Sequence, residues 1–171
     1  YTPNGKLHRT LTSLAFKNLM HPFQPFIVGQ KIVGPLISVK FDIPLVMYGE
    51  NQAEYGNNID ENKSPKMNDK FFSKQDIKNI QLGGEKIEDI MSNFKYDQRD
   101  FAPYIPPNEN EIKNTGTEVH YLGYYLKWDP QESFYYAAEN TGFSPNTERT
   151  QGTYSRYSSI DDKIDWFHHY T

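Results

Sequence analysis

Apolar positions in the first part of the chain form two helical stripes separated by one proline-rich step. Leu7, Leu11, Leu14, Ala15 and Leu19 recur on one helix face, which predicts a helix from about Lys6 to Leu19 after a turn at Asn4-Gly5. His21-Pro22-Phe23-Gln24-Pro25 ends it, because each proline lacks an amide donor and restricts the residue before it. Proline is tolerated in a first helical turn, so a second helix is predicted from Pro25. It carries Ile27, Val28, Ile32, Leu36, Ile37 and Val39, with a kink at Gly34-Pro35.

The pattern then changes period. Ile43 to Tyr48 reads as a strand whose core, Leu45-Val46-Met47, does not alternate, as expected at the centre of a parallel sheet covered on both faces. It breaks at Gly49 into Glu50-Asn51-Gln52-Ala53-Glu54-Tyr55-Gly56. Open parallel sheets bind ligands beyond the carboxyl ends of their strands, so function is expected to concentrate in this loop. From Asn57 to Asp69 hardly any apolar residue occurs, which predicts a surface loop or lid.

Beyond it, helices are predicted at Ser73 to Gln81, with Gly83-Gly84 as the stop, and at Lys86 to Asn93. After Pro103, Pro106 and Pro107, Asn108 is the predicted cap of a short helix through Lys113. Glu118 to Leu126 is the second strand candidate. Gln131 to Asn140 reads as a helix closed by Thr141-Gly142, and Ile160 to Tyr170 as a last one. Helices interleaved with strands, and no internal repeat, predict one domain of the α/β class, a parallel sheet flanked by helices.

Composition narrows the function classes. A length of 171 residues suffices for a proper core, and a formal charge of −4 with scattered basic residues gives no footprint for nucleic acid. There are no cysteines, hence no disulfides and no thiolate metal site, which is compatible with the cytoplasm. The apolar runs are too short to span a bilayer, so no membrane partner is expected. Thirteen tyrosines stand out, because tyrosine offers a sugar or a base both a ring face and a hydroxyl. The chain opens in a turn and ends at Thr171 without a helix-terminating signal, as expected of a piece of a longer protein.

Several groups of residues invite chemistry. Glu50, Asn51, Gln52, Glu54 and Tyr55 offer oxygen ligands for magnesium, a ribose or a polar substrate, and Gly49 allows close backbone approach. A solvated loop would look the same. Lys6, His8 and Arg9 at a helix start suit a phosphate, although a solvated face accounts for them better. Tyr121, Gly123 and Tyr125 would share one strand face, and Leu122, Tyr124 and Leu126 the other; with Trp128 they form a stacking wall, or in part a core. Gly152-Thr153-Tyr154 reads as a turn near a ligand or simply as the loop before the last helix. Asp161, Asp162, Asp165, His168 and His169 lack a metal-protease spacing, and a solvated helix face explains them better than a metal. No Walker A, Rossmann or nucleophile-elbow motif occurs, and no catalytic residue is assigned.

Taken together and in order, the stretches Pro3-Asn4-Gly5-Lys6-Leu7-His8-Arg9, His21-Pro22-Phe23-Gln24-Pro25-Phe26, Gly49 to Gly56, Leu122-Gly123-Tyr124-Tyr125 with Trp128-Asp129, and Gly152-Thr153-Tyr154 resemble the N-acetyl sugar amidotransferases of the PseA type. The resemblance runs along essentially the whole chain. It implies a PP-loop ATP pyrophosphatase fold (adenine nucleotide alpha hydrolase-like), and use of ATP and magnesium to convert a sugar acetamido group into an acetamidino group. Such enzymes serve flagellin-glycan and O-antigen pathways, including pseudaminic and legionaminic acids. Activation is expected at the amide oxygen, with ammonia from a separate glutaminase displacing AMP. Gly49, Glu50, Asn51, Glu54 and Tyr55 are the implied nucleotide, magnesium or substrate contacts, joined by Tyr124, Tyr125, Trp128, Gly152, Thr153 and Tyr154.

Departures from the family pattern are as informative. Its Ser-Gly-Gly-x-Asp-Ser phosphate loop, the cysteine pairs before that loop and the sequence after the last helix are not in this chain. The chain is therefore expected to be an internal or C-terminal part of such an enzyme, unable to hydrolyse ATP alone. The competing expectations are a noncatalytic carbohydrate-binding or assembly module, and another PP-loop ligase with a different acceptor.

Overall fold

The structure is a computed structural model and describes residues 2–49, 63–74, 80–127 and 129–158. It is mixed α/β, and it divides into two units, residues 1–126 and 127–171.

In the first unit, Asn4 caps helix α1 (Gly5–Leu19), its side-chain oxygen accepting from the amides of Lys6 at 3.0 Å and Leu7 at 3.4 Å. The predicted turn at Asn4-Gly5 is thus the helix start itself. Leu7, Leu11, Leu14 and Ala15 are buried as the spacing predicts, whereas Leu19 is exposed. They pack against a hairpin of β2 (Gln81–Leu82) and β3 (Glu85–Lys86), against α3 (Ile87–Phe94), and against Phe101 and Tyr104 of a 3-10 helix over Gln98–Tyr104.

Gly83 and Gly84, read as a helix stop, are instead the turn of that hairpin, with φ of +60° and +80°. The predicted helix over 73–81 lies mostly outside the described residues, and its described end, Gln81, is a strand residue. A Cβ on Gly83 would come within 2.9 Å of the Ala15 amide nitrogen, so only glycine lets the hairpin tip lie on α1. Asn18 Nδ2 donates to the Gly83 carbonyl at 2.9 Å, and the Gly83 amide donates to Gln24 Oε1 at 3.0 Å.

Helix α2 (Gln24–Phe41) continues through Pro35. Proline has no amide hydrogen, so the Lys31 carbonyl, four residues back, loses its usual helical donor. The Tyr48 hydroxyl takes that place, reaching the carbonyls of Lys31 at 3.0 Å and Gln30 at 2.7 Å. Gly34 completes the contact, since a Cβ there would stand 2.6 Å from Val46 Cγ1. The Gly34-Pro35 pair is therefore the place where helix and strand close on each other.

Strand β1 (Leu45–Tyr48) pairs in parallel with β4 (Glu118–Tyr121), in the register Leu45 to Glu118 and Tyr48 to Tyr121. On its other side β4 bonds the segment around Lys66: the Met67 amide donates to the Val119 carbonyl at 2.8 Å, and the Tyr121 amide to the Pro65 carbonyl at 3.0 Å. Residues 50–62 lie outside the described residues, while Met67, within the predicted lid, is buried. Val46, Tyr48, Val119, Tyr121 and Met67 share the inner face and pack with Phe72 and Ile112. Buried hydroxyls of Ser38 in α2 and Thr117 join at 2.7 Å. Helix α4 (Glu109–Thr115) starts at Asn108 as predicted, with a reciprocal capping box to Glu111.

Two strand expectations are corrected. The Leu45-Val46-Met47 run is covered on one face only, Leu45 being 53% and Met47 45% exposed. β4 ends at Tyr121, and Leu122–Tyr125 forms a helical turn, α5. The partners of β4 stop at Tyr48 and Pro65, so beyond Tyr121 the backbone satisfies itself, the Leu126 amide donating to the Leu122 carbonyl at 3.1 Å.

In the second unit, Asp129 caps α6 (Pro130–Asn140), accepting from the amides of Gln131 and Glu132, both at 3.1 Å. Phe134 stacks on Tyr157 with ring centroids 4.4 Å apart, and the Tyr157 hydroxyl donates to Gln131 Oε1 at 3.0 Å. The predicted helix over 160–170, with Asp161, Asp162, Asp165, His168 and His169, lies outside the described residues.

Tyr48→Phe removes the hydroxyl that bonds the Gln30 and Lys31 carbonyls and is expected to lower unfolding free energy by about 0.5 to 1.5 kcal/mol in denaturant titration. In Gly34→Ala, the clash with a stiff β-branched side chain, about 1 to 3 kcal/mol, outweighs alanine's helix advantage of about 1 kcal/mol or less. Val46→Ala should recover stability in the Gly34→Ala background, so the double-mutant cycle is expected to be non-additive.

Candidate functional site

Two strands that run parallel and pair to their last residues, Tyr48 and Tyr121, release their following loops at the same sheet edge. Gly49 therefore leaves β1 beside the point where α5 leaves β4. Gly49 is exposed, with open space where a Cβ would stand. Tyr124 and Tyr125, on α5, are 53% and 52% exposed, and their rings meet edge to face at 5.8 Å. The Tyr124 hydroxyl donates to the Lys63 carbonyl at 3.2 Å. Two groups of residues singled out separately in the sequence thus share the carboxyl end of one parallel pair, the usual ligand side of such sheets.

The outer face of the same pair carries chemistry that the sequence reading passed over. Parallel register and strand alternation set Leu45 and Met47 of β1 on the face that holds Glu118 and His120 of β4. Lys66, bridged to His120 from the other side, joins them. Glu118 Oε1 accepts from Lys66 Nζ at 3.0 Å, and Glu118 Oε2 lies 3.0 Å from His120 Nε2. His120 Nδ1 lies 2.5 Å from the Tyr125 hydroxyl, with the two rings stacked at 6.0 Å. An extended chain would carry Tyr125 roughly 16 Å beyond His120. The helical turn of α5 folds it back. The overlooked signal was Glu118-x-His120 itself, since a spacing of two in a strand puts both side chains on one face.

The hydrogen bond from Lys66, and then that from His120, hold the Glu118 carboxyl below its usual range. This acid stays ionised and acts as the fixed anion of the group. It does not serve as a free metal ligand, and among the described residues no cluster of three His, Asp or Glu side chains suits a metal ion.

The remaining predicted positions are distributed otherwise. Glu50, Asn51, Glu54, Tyr55 and Trp128 lie outside the described residues. Gly152, Thr153 and Tyr154 belong to the second unit: Gly152 has a φ of +80°, Thr153 Oγ1 donates to the Thr150 carbonyl at 2.9 Å, and Tyr154 is exposed. His8, considered for a phosphate, has its Nδ1 2.8 Å from the buried Tyr104 hydroxyl. Pro3 and His8 line one apolar hollow of about 230 Å³ with Pro25, Phe26 and Tyr104, so the first two motif stretches meet in packing.

No protein-family model matches the chain, and no curated protein sequence matches it. Among the described residues, no helix is long and apolar enough to cross a membrane.

The lowered folded value of Glu118 sets the sign of a pH effect. Its contribution to stability is complete above the unfolded value near 4.5 and is lost as pH falls through the lowered folded value. The stability difference between the wild type and Glu118→Gln is therefore expected to be largest near neutrality and to vanish in acid, measured by urea unfolding across pH.

Proposed function

We propose that this chain forms the sugar- and nucleotide-facing edge of a bacterial, cytoplasmic, ATP-dependent N-acetyl sugar amidotransferase of surface-glycan biosynthesis. The observation that carries this reading is the register that ends β1 at Tyr48 beside the end of β4 at Tyr121, bringing Gly49 and the Tyr124-Tyr125 turn to one edge. The resemblance along the sequence supplies the reaction class, and the geometry supplies a wall suited to it. Aromatic rings of which half the surface is free can stack on a sugar while their hydroxyls read its polar groups.

The exposed apolar face also fits a larger PP-loop sheet. Parallel strands are ordinarily covered on both faces, and a lone pair with Leu45 and Met47 open to solvent falls short of that. Further strands beside β1 would extend it. Among the described residues no group of three His, Asp or Glu side chains suits magnesium, and Glu118 is already held by Lys66 and His120. ATP as activating co-substrate, and ammonia from a separate glutaminase, are what the resemblance implies.

A noncatalytic carbohydrate-binding module is the second reading, favoured by the same exposed tyrosines. Calorimetric titration of the full-length protein with ATP and magnesium, then with a nucleotide-linked N-acetyl sugar, separates the two. The amidotransferase reading expects both to bind, Glu50→Ala to weaken binding, and ammonia-dependent pyrophosphate release with oxygen-to-NH exchange on the sugar, detected by mass spectrometry. Binding of sugar alone, unchanged by Glu50→Ala and without pyrophosphate release, would establish the module instead.

A further inference from the structure

Four side chains on the outer sheet face form one continuous hydrogen-bonded line, from Lys66 through Glu118 and His120 to Tyr125. Glu118 is ionised, so it can only accept, and the proton between it and the ring belongs to His120 Nε2. In the neutral imidazole this leaves Nδ1 as the acceptor, and the Tyr125 hydroxyl donates to it. Tyr125 is 52% exposed, so its side chain lies within reach of a solute. His120 itself is mostly covered, its side chain being 16% exposed, so solutes meet Tyr125 first.

We propose that Tyr125 is a proton-transfer residue, with His120 taking its phenolic proton, Glu118 positioning His120, and an amine nucleophile as the group it serves. The arrangement follows the logic of a hydroxyl, a histidine and a carboxylate in series, with a phenol in place of the serine. Naming the amine rests on the sugar-amidation reading; the relay rests on the geometry alone. In amidation, the amine nitrogen forms its bond to the activated amide carbon, and the bond from that carbon to the activated oxygen breaks with its electron pair on oxygen. One N–H proton passes to the Tyr125 oxygen as the phenolic proton passes to His120 Nδ1. The resulting imidazolium sits against Glu118 and returns its proton to solvent.

The chain contains its own controls. Tyr124, Tyr135, Tyr136 and Tyr154 are 53%, 57%, 68% and 95% exposed, against 52% for Tyr125, so exposure alone gives Tyr125 no lead over them. With p-nitrophenyl acetate the relay predicts the reverse. The Tyr125 oxygen attacks the ester carbon, p-nitrophenolate leaves, the phenolic proton goes to His120, and acetyl-Tyr125 appears first in peptide mass spectra. His120→Gln should erase that lead, while Tyr124 should react as before. Nitrogen-15 shifts of His120 should show the Nε2–H form, and its Nδ1 signal should move in Tyr125→Phe. Acetylation of Tyr125 no faster than Tyr124, or an Nδ1–H form, overturns the relay, and the shift measurement needs no variant to fold.

In the full-length protein, Tyr125→Phe is expected to lower the rate of amidine formation about 100-fold. The sugar KM should stay within about twofold, since the loss falls on the reacting state and not on binding. Imidazole in solution should restore part of the rate in His120→Gly, a rescue that a merely structural histidine would not show. Unchanged turnover in Tyr125→Phe overturns the role in amidation. Absence of amidine formation in the wild type overturns the sugar-amidation reading instead, and the acetylation result then decides the relay by itself.

Discussion

A missing hydrogen bond inside helix α2 organises the inner face of the sheet. Pro35 deprives the Lys31 carbonyl of its helical donor, and the Tyr48 hydroxyl, projecting from the last residue of β1, supplies one at 3.0 Å. A hydrogen bond of this kind contributes about 0.5 to 1.5 kcal/mol, so the helix is not indifferent to where β1 ends. Gly34 lets the two backbones approach until Val46 fills the space where a side chain would stand. Together these contacts set the lateral position of β1 on α2 and its position along the strand axis.

From there the order of constraints is short. β1 fixes β4 through a parallel register, and Ser38 and Thr117 tie the start of β4 to the same helix. The pairing of the two strands ends at Tyr48 and Tyr121, where β1 gives way to Gly49 and β4 coils into α5. The coil returns Tyr125 over His120, away from where a continued strand would have carried it. Backbone hydrogen-bond accounting thus decides which side chains become neighbours on the outer face. A change in the length of β1 would alter the site as surely as a change in one of its residues.

Helices α1 and α4 were legible because their signals are local. Leu7, Leu11 and Leu14 repeat at helical spacing, and Asn108 with Glu111 writes a capping box into four residues. The strands were legible only in existence. Nothing within Leu45-Val46-Met47 tells whether a second layer covers it, since apolar continuity is the same for a half-covered strand and a fully covered one. Gly83-Gly84 serves as well for a helix stop as for a two-residue hairpin turn, and the choice fell to the surface of α1, remote in sequence. The strand boundary at Tyr121 was set by where Pro65 and Tyr48 stop, which no window around Tyr121 contains. For the site, Gly49, Tyr124 and Tyr125 were visible as residue types, whereas their meeting, and the part of Lys66, required the register.

The chain also holds a built-in comparison that separates structure from chemistry. His8 and Tyr104 adopt nearly the geometry of His120 and Tyr125: ring nitrogen Nδ1 to hydroxyl, with rings stacked at 15° in both. Tyr104, however, is 2% exposed and sits in the core with Leu7 and Phe101, so its bond to His8 satisfies the polar end of a buried side chain. Tyr125 has no such need, because a half-exposed phenol can bond water at no cost. Its attachment to a histidine that is itself held by an ionised carboxylate is therefore unexplained by burial. The same two residue types, joined in the same way, serve packing in one place, and in the other stand at the surface with the histidine held by an ionised carboxylate.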